Sequence, residues 1–278
     1  MSADEPQNSS AGIARAAARV LDGGALAALF TLLEAPGGRP GAGAKILIEE
    51  DGALTGTTGS AALDAAAAAF APSFLDSRAE ARAYRVEEVA AGPALEEWRG
   101  ARVLFERIEP EPHVVVCGAG HVGASLARLA AAVGYRVTLV DDRPDFVTRE
   151  RFPGASVGLV AAEGGWAAAV GRLVGRGRGV FVAVVTRGHN EDEECMSAVL
   201  TARPDYVGMI GSRRRTNIVL ARLREAGFAE EVLREVRAPI GLDIGAVSPE
   251  EVALAVLAEI VAHRRGGSGR PLSAWRRE

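Results

Sequence analysis

The chemistry most visible in this chain begins at a cluster of glycines between a valine-rich run and an amphipathic one, Val116-Cys-Gly-Ala-Gly-His-Val-Gly123. At this spacing Gly118 permits a tight turn, Gly120 lets the backbone approach a pyrophosphate, and Gly123 lets helix and strand pack closely. His121 and Val122 open the helix, whose free N–H groups and partial positive charge favour an anion. Asp141 and Asp142 end the next apolar run about 18 residues past Gly123. Either is placed to accept hydrogen bonds from a ribose-type hydroxyl. His121 reads equally as a ring facing the ligand or as an exposed turn residue. Cys117 reads as a small apolar core residue or as a reactive one.

Two further loops repeat the logic of a strand end that turns into a helix. In Thr186-Arg-Gly-His-Asn-Glu-Asp192, Arg187 can contact an anion, His189 can donate or accept a proton, and Asp192 can orient either. Asp192 also reads as a first-turn carboxylate favoured by the helix dipole. Cys195 follows near the start of that helix, with no evident partner. In Ile210-Gly-Ser-Arg-Arg-Arg215, Gly211 frees the turn, Ser212 is a good N-cap, and Arg213, Arg214 and Arg215 bring three positive charges to a helix start. That charge opposes the helix dipole, so it makes sense beside an anionic ligand, or else as a solvated basic face. Pro239-Ile-Gly-Leu-Asp-Ile-Gly245 is a glycine-framed apolar loop in which Asp243 can serve as a hydrogen-bonding orienter.

The elements that must position these loops alternate strand and helix, which implies an α/β fold with a Rossmann-type parallel sheet and right-handed crossovers. Strands are expected over 113–117, 135–141, 179–186 and 205–210, with helices over 122–133, 191–202, 213–225 and 250–263. The first half reads as a smaller α+β domain. A helix runs into a strand over 13–33, strands over 45–48 and 53–56 flank the Glu50-Asp-Gly52 turn, and a helix covers 61–70. An edge strand is expected over 102–108, and Pro110-Glu-Pro112 marks the boundary. The expected organisation is a disordered tail over 1–12, an N-terminal domain with connector over 13–110, the Rossmann-type domain over 111–265 and a flexible tail over 266–278.

Composition limits the alternatives. Of the 278 residues, 48% are hydrophobic and 24% charged, as in a packed soluble protein. A net charge of −4 argues against binding nucleic acid through its phosphate backbone. Two cysteines are too few for a disulfide framework or a Cys-rich zinc site, and no metal site is expected. No apolar run is long enough to span a membrane, and the polar start is unlike a secretory signal, so a reducing cytoplasm is the expected compartment.

Taken in order, Val116–Gly123, Val140-Asp-Asp-Arg-Pro144, Thr186-Arg-Gly-His189 with Asp192, Tyr206-Val-Gly-Met-Ile-Gly-Ser-Arg-Arg-Arg215 and Pro239-Ile-Gly-Leu-Asp-Ile-Gly-Ala246 resemble the XdhC/CoxI family of accessory proteins for molybdenum hydroxylases. The resemblance is dense from 113 to about 265 and looser in the first half, through Gly43-Ala-Lys-Ile-Leu-Ile48 and Gly56-Thr-Thr-Gly59. It implies a maturation factor rather than a stand-alone enzyme. Such a protein binds molybdenum cofactor, as molybdopterin or its dinucleotide form, and supports its sulfuration and insertion into a xanthine dehydrogenase or carbon monoxide dehydrogenase. The partners implied are that client and a sulfurtransferase, with neither nucleic acid nor membrane; oligomeric state stays open, a homodimer included. Ala62 stands where the family commonly has a cysteine. Two other readings use the same glycine turn: an NAD(P)-dependent oxidoreductase, with His189 as the only visible donor, and a nucleotide-sensing regulatory protein.

Overall fold

The computed structural model describes residues 9–38, 41–174 and 178–273, without the side chains of His189 and Asn190. Two compact units divide the chain, Met1–Pro110 and Glu111–Glu278.

In the first unit, α1 (Ser10–Asp22) is capped by Ser9, whose side chain accepts the Gly12 N–H. It buries Ile13, Ala16 and Val20 against Ala27 and Leu47 on one face of an antiparallel sheet. The strands are β1 (Ala27–Glu34), β2 (Lys45–Glu49), β3 (Leu54–Gly56), β4 (Ala81–Arg85) and β5 (Arg102–Ile108), in the order β3-β2-β1-β5-β4. Helix α2 (Ala61–Asp76) covers the other face, and the single turn α3 (Val86–Val89) follows β4. Phe105 is the centre of that core, with the Phe30, Phe70, Phe74 and Tyr84 rings 5.0–5.9 Å apart around it.

Two expectations change here. Strand β5 is interior, because β4 pairs with its far side along Ala81–Arg85. Helix α2 continues past Pro72, where a missing N–H costs about 3 kcal/mol; burial of Ala71, Phe74 and Leu75 offsets that cost.

The second unit is the α/β body. Its strands are β6 (His113–Cys117), β7 (Arg136–Asp141), β8 (Val157–Ala161), β9 (Val180–Val184) and β10 (Tyr206–Met209). They form a parallel sheet in the order β10-β9-β6-β7-β8, which reverses direction of travel between β6 and β9. Its central strands β6 and β9 are buried at every residue, as continuous apolar runs in a two-sided sheet should be. Helices α4 (His121–Ala132) and α9 (Pro249–Arg265) cover one face, over Val114 and Val116. Helices α5 (Trp166–Val174), α6 (His189–Ala202) and α7 (Arg213–Glu225), with the short α8 (Glu230–Glu235), cover the other, over Val115 and Cys117. Beyond β10 the chain runs alongside its edge. The Arg237 N–H donates to Val207, Met209 to Arg237, and Ile240 to Met209. In open sheets of this kind the loops at the carboxyl ends of the strands form the ligand crevice, at the point where strand order reverses.

Candidate anion-binding site

That reversal lies beside the glycine turn. Gly118 has φ +114°, and a Cβ there would sit 2.5 Å from the Val185 carbonyl oxygen. A Cβ at Gly123 would overlap the Gly118 carbonyl oxygen. These two glycines are therefore required by the fold. Gly120 is different: among the described residues, its own chain neighbours apart, no atom lies within 4 Å of where its Cβ would be. Helix α4 starts there without a side-chain cap, so its first-turn N–H groups have no side-chain acceptor. His121 is exposed at the helix start, and Val122 packs against the core.

The adjacent carboxylates divide their work. Asp141 is 1% exposed and accepts the Ala119 N–H at 2.6 Å, the Arg143 N–H at 2.9 Å and the Arg143 guanidinium at 2.8 and 3.0 Å. Burial would raise its pKa, but the bonds from Arg143 and Ala119 outweigh this and hold it below the usual carboxylate range. Its oxygens are thus engaged in fixing the turn. Asp142 is half-buried and pairs with Arg187 through both oxygens, at 3.0 and 2.9 Å. Arg187 also reaches Glu191 at 3.3 Å.

Arg143 and Arg151 are the residues that sequence reasoning missed. The Arg143 guanidinium lies 3.5 Å from the centre of the Phe146 ring, and that of Arg151 lies 4.5 Å from it. Arg151 also donates to the Ala119 carbonyl at 3.3 Å. The end of β7 and the segment after it thus hold the turn from both its N–H and its C=O. The Asp-Asp-Arg run carried part of this signal; nothing local marks Arg151, 32 residues from Ala119.

Farther along the same rim, Asp192 is fully buried and accepts from Thr186 and from Arg215, the latter at 2.5 Å. Arg215 also donates to the Thr186 carbonyl at 3.3 Å. Asp192 therefore locks the starts of α6 and α7 to the end of β9 and does not meet Arg187. His189 opens α6, with its side chain outside the described residues. Gly211 turns at φ +154°, and Ser212 caps α7 by accepting the Arg215 N–H. Arg213, Arg214 and Asp243 are exposed, and among the described residues no hydrogen bond or ion pair joins them to the glycine turn. The Asp243 loop is anchored at Gly241, whose N–H donates to Glu259 at 2.7 Å.

Cys117 and Cys195 are free, fully buried and in contact, and burial pushes the Cys195 thiol up. In the first unit, Ala62 is half-buried in the first turn of α2. Asp64 ties off the preceding loop, accepting from the Thr57 hydroxyl at 2.6 Å and from the Thr58 N–H at 2.9 Å.

Comparison with known proteins places residues 114–260 in the family described as the XdhC Rossmann domain. The protein YqeB of Escherichia coli K12 is 30% identical over 244 residues, 87% of this chain and 44% of the relative. A relative from Bacillus subtilis 168, named as a probable xanthine dehydrogenase component, is 31% identical over 163 residues, 59% of this chain and 46% of the relative. The molybdenum cofactor insertion chaperone PaoD of Escherichia coli K12 is 35% identical over 75 residues, 27% of this chain and 24% of the relative. The chain thus spans less than half the length of each of these relatives.

Proposed function

The chain belongs to the XdhC family, and from that premise we propose that it binds molybdenum cofactor at the Gly118–Gly123 turn and hands it to a molybdenum hydroxylase of the xanthine dehydrogenase or carbon monoxide dehydrogenase type. The observation that carries this reading is the open backbone at Gly120 before the uncapped start of α4, inside the matched segment. A pterin bearing a phosphate or pyrophosphate fits such a cradle, because helix-start N–H groups bind anions without a cation. Arg213, Arg214 and Asp243 add charge and hydrogen bonding at the rim. PaoD's name supports the same role.

The chain holds and orients its cargo; the metal's redox chemistry belongs to the client. Sulfuration is assigned elsewhere. Ala62 stands where the family resemblance implies a thiol, and both cysteines of the chain are fully buried. A thiol that solvent cannot reach cannot hand sulfur to a bound pterin. The sulfur donor in this scheme is a separate sulfurtransferase.

The test is deletion of the gene in a cell that makes a client hydroxylase. The client should lose most of its molybdenum and turnover, and both should return with the wild-type chain and with a variant carrying Cys117→Ser and Cys195→Ser that melts normally. A client with full metal and full activity in the deletion strain overturns the proposal.

A further inference from the structure

The pairing of Asp142 with Arg187 has a position that makes it more than a surface salt bridge. Strand β6 stands between β7 and β9, with Cys117 opposite Val140 on one side and Val184 on the other. The turn that leaves β6 is fixed between the same neighbours, since the Gly118 N–H donates to Val140 and its α-carbon abuts Val185. Asp142 is two residues beyond Val140 and Arg187 two beyond Val185. Strands flanking a common neighbour are about 10 Å apart. To meet at 3.0 and 2.9 Å, the two side chains must reach over the end of β6 and its glycine turn.

The charges that make up that bridge and its neighbours leave an excess of one negative charge. Asp141, Asp142 and Glu191 carry three negative charges against the two positive charges of Arg143 and Arg187, and Arg143 also lies 3.9 Å from Asp142. While the bridge is closed, Arg187 and Arg143 are both engaged with carboxylates, and among the described residues the charge left at the turn is that of Arg151, whose guanidinium donates to the Phe146 and Ala119 carbonyls. Yet both partners are partly exposed, 45% for Arg187 and 31% for Asp142, so exchanging this bridge for ligand contacts costs little. The exchange needs two different groups. A phosphate matches the forked donors of Arg187. A vicinal diol gives Asp142, an acceptor with two oxygens, the donors it then lacks.

We propose that the Asp142–Arg187 bridge is a latch over the glycine turn, and that the ligand which opens it is a ribonucleoside diphosphate moiety, whose phosphate takes Arg187 and whose ribose hydroxyls take Asp142. This inference rests on the reading that the turn binds a phosphate-bearing ligand. It selects the dinucleotide form of the cofactor over a pterin monophosphate, which has no ribose.

The test is calorimetric titration of the full chain with inorganic pyrophosphate, with ADP, GDP and CDP, and with their 2′,3′-dideoxy counterparts. In wild type at least one ribonucleotide should bind about tenfold more tightly than its dideoxy counterpart. In Asp142→Ala that preference should vanish while pyrophosphate binds several-fold more tightly, because Arg187 has lost its main quencher. Arg187→Gln should weaken pyrophosphate and nucleotides together, about tenfold. Binding that ignores the ribose hydroxyls, or a pyrophosphate affinity unchanged by Asp142→Ala, overturns the latch and leaves the site standing. Failure of every diphosphate to bind wild type and Asp142→Ala overturns the site, and the latch with it.

Discussion

At the scale of single residues, the glycine turn separates what folds the protein from what its ligand needs. Gly123 has no room for a methyl group, because the obstacle is the Gly118 carbonyl, backbone that cannot rotate away. Gly123→Ala should therefore destabilise the second unit by about 2–4 kcal/mol. Gly120 sits at an ordinary φ of −66° beside empty space. Gly120→Val should stay folded, melting within a few degrees of wild type, and lose at least tenfold in affinity for nucleoside diphosphates or cofactor. Thermal melts and titrations on both variants check the pair. A Gly120→Val protein that binds as wild type does would place the ligand elsewhere. The glycine spacing made this turn legible in the sequence. The roles of Asp141 and Asp142 were not legible, because adjacent residues at a strand end point to opposite sides, and only the fold shows which carboxylate meets Ala119. Asp192 was misleading for a similar reason. Its partner Arg215 lies 23 residues on, on another helix.

At the scale of elements, strand β6 opens with a buried histidine that makes the sheet sensitive to acid. His113 is 4% exposed and bonds to Thr138 on β7 at 2.8 Å. Burial, helped by the charge of Arg136, lowers its pKa to about 4. The unfolded chain, with a histidine pKa of about 6.5, binds the proton first as pH falls, so stability is full above that value and drops on acidification toward pH 4. Between pH 7 and pH 5 the loss from this one group is about 2 kcal/mol. Urea unfolding of wild type and His113→Gln at the two pH values checks it: wild type should lose about 2 kcal/mol more than the variant. Equal losses would mean that His113 takes up its proton as readily folded as unfolded. Most of the parallel sheet was legible because β6, β7, β9 and β10 are short runs dominated by apolar residues that lead into turn residues. Strand β8, Val157-Gly-Leu-Val-Ala161, was not, because it lies at the sheet's edge with only Val157 buried, and Gly158, whose absent side chain accommodates Thr138, breaks its apolar run. Strand β5 looked like an edge because its outer partner, Ala-Arg-Ala-Tyr-Arg, carries two arginines and little apolar signal.

At the scale of the whole molecule, each unit builds its cores from its own residues, those of the first ending at Ile108 and those of the second beginning at Val114. We expect a fragment of residues 111–273 to fold alone, to melt in one cooperative step and to keep the nucleoside diphosphate affinity of the full chain. Circular dichroism and calorimetry on that fragment check this, and a fragment lacking a cooperative melt would show that the second unit needs the first. The strand order of that unit also has a temporal cost. Strand β6 is flanked by β7, the next strand synthesised, and by β9, which begins about 60 residues after Cys117. At roughly 5–20 residues per second, the ribosome takes about 3–12 s to deliver it. Through that interval one side of Val114-Val-Val-Cys117 offers bare amides and carbonyls to any other nascent chain. Slower translation or a higher temperature lengthens or worsens that exposure, so the soluble yield of this protein should depend more on growth temperature and holdase supply than its equilibrium stability would suggest.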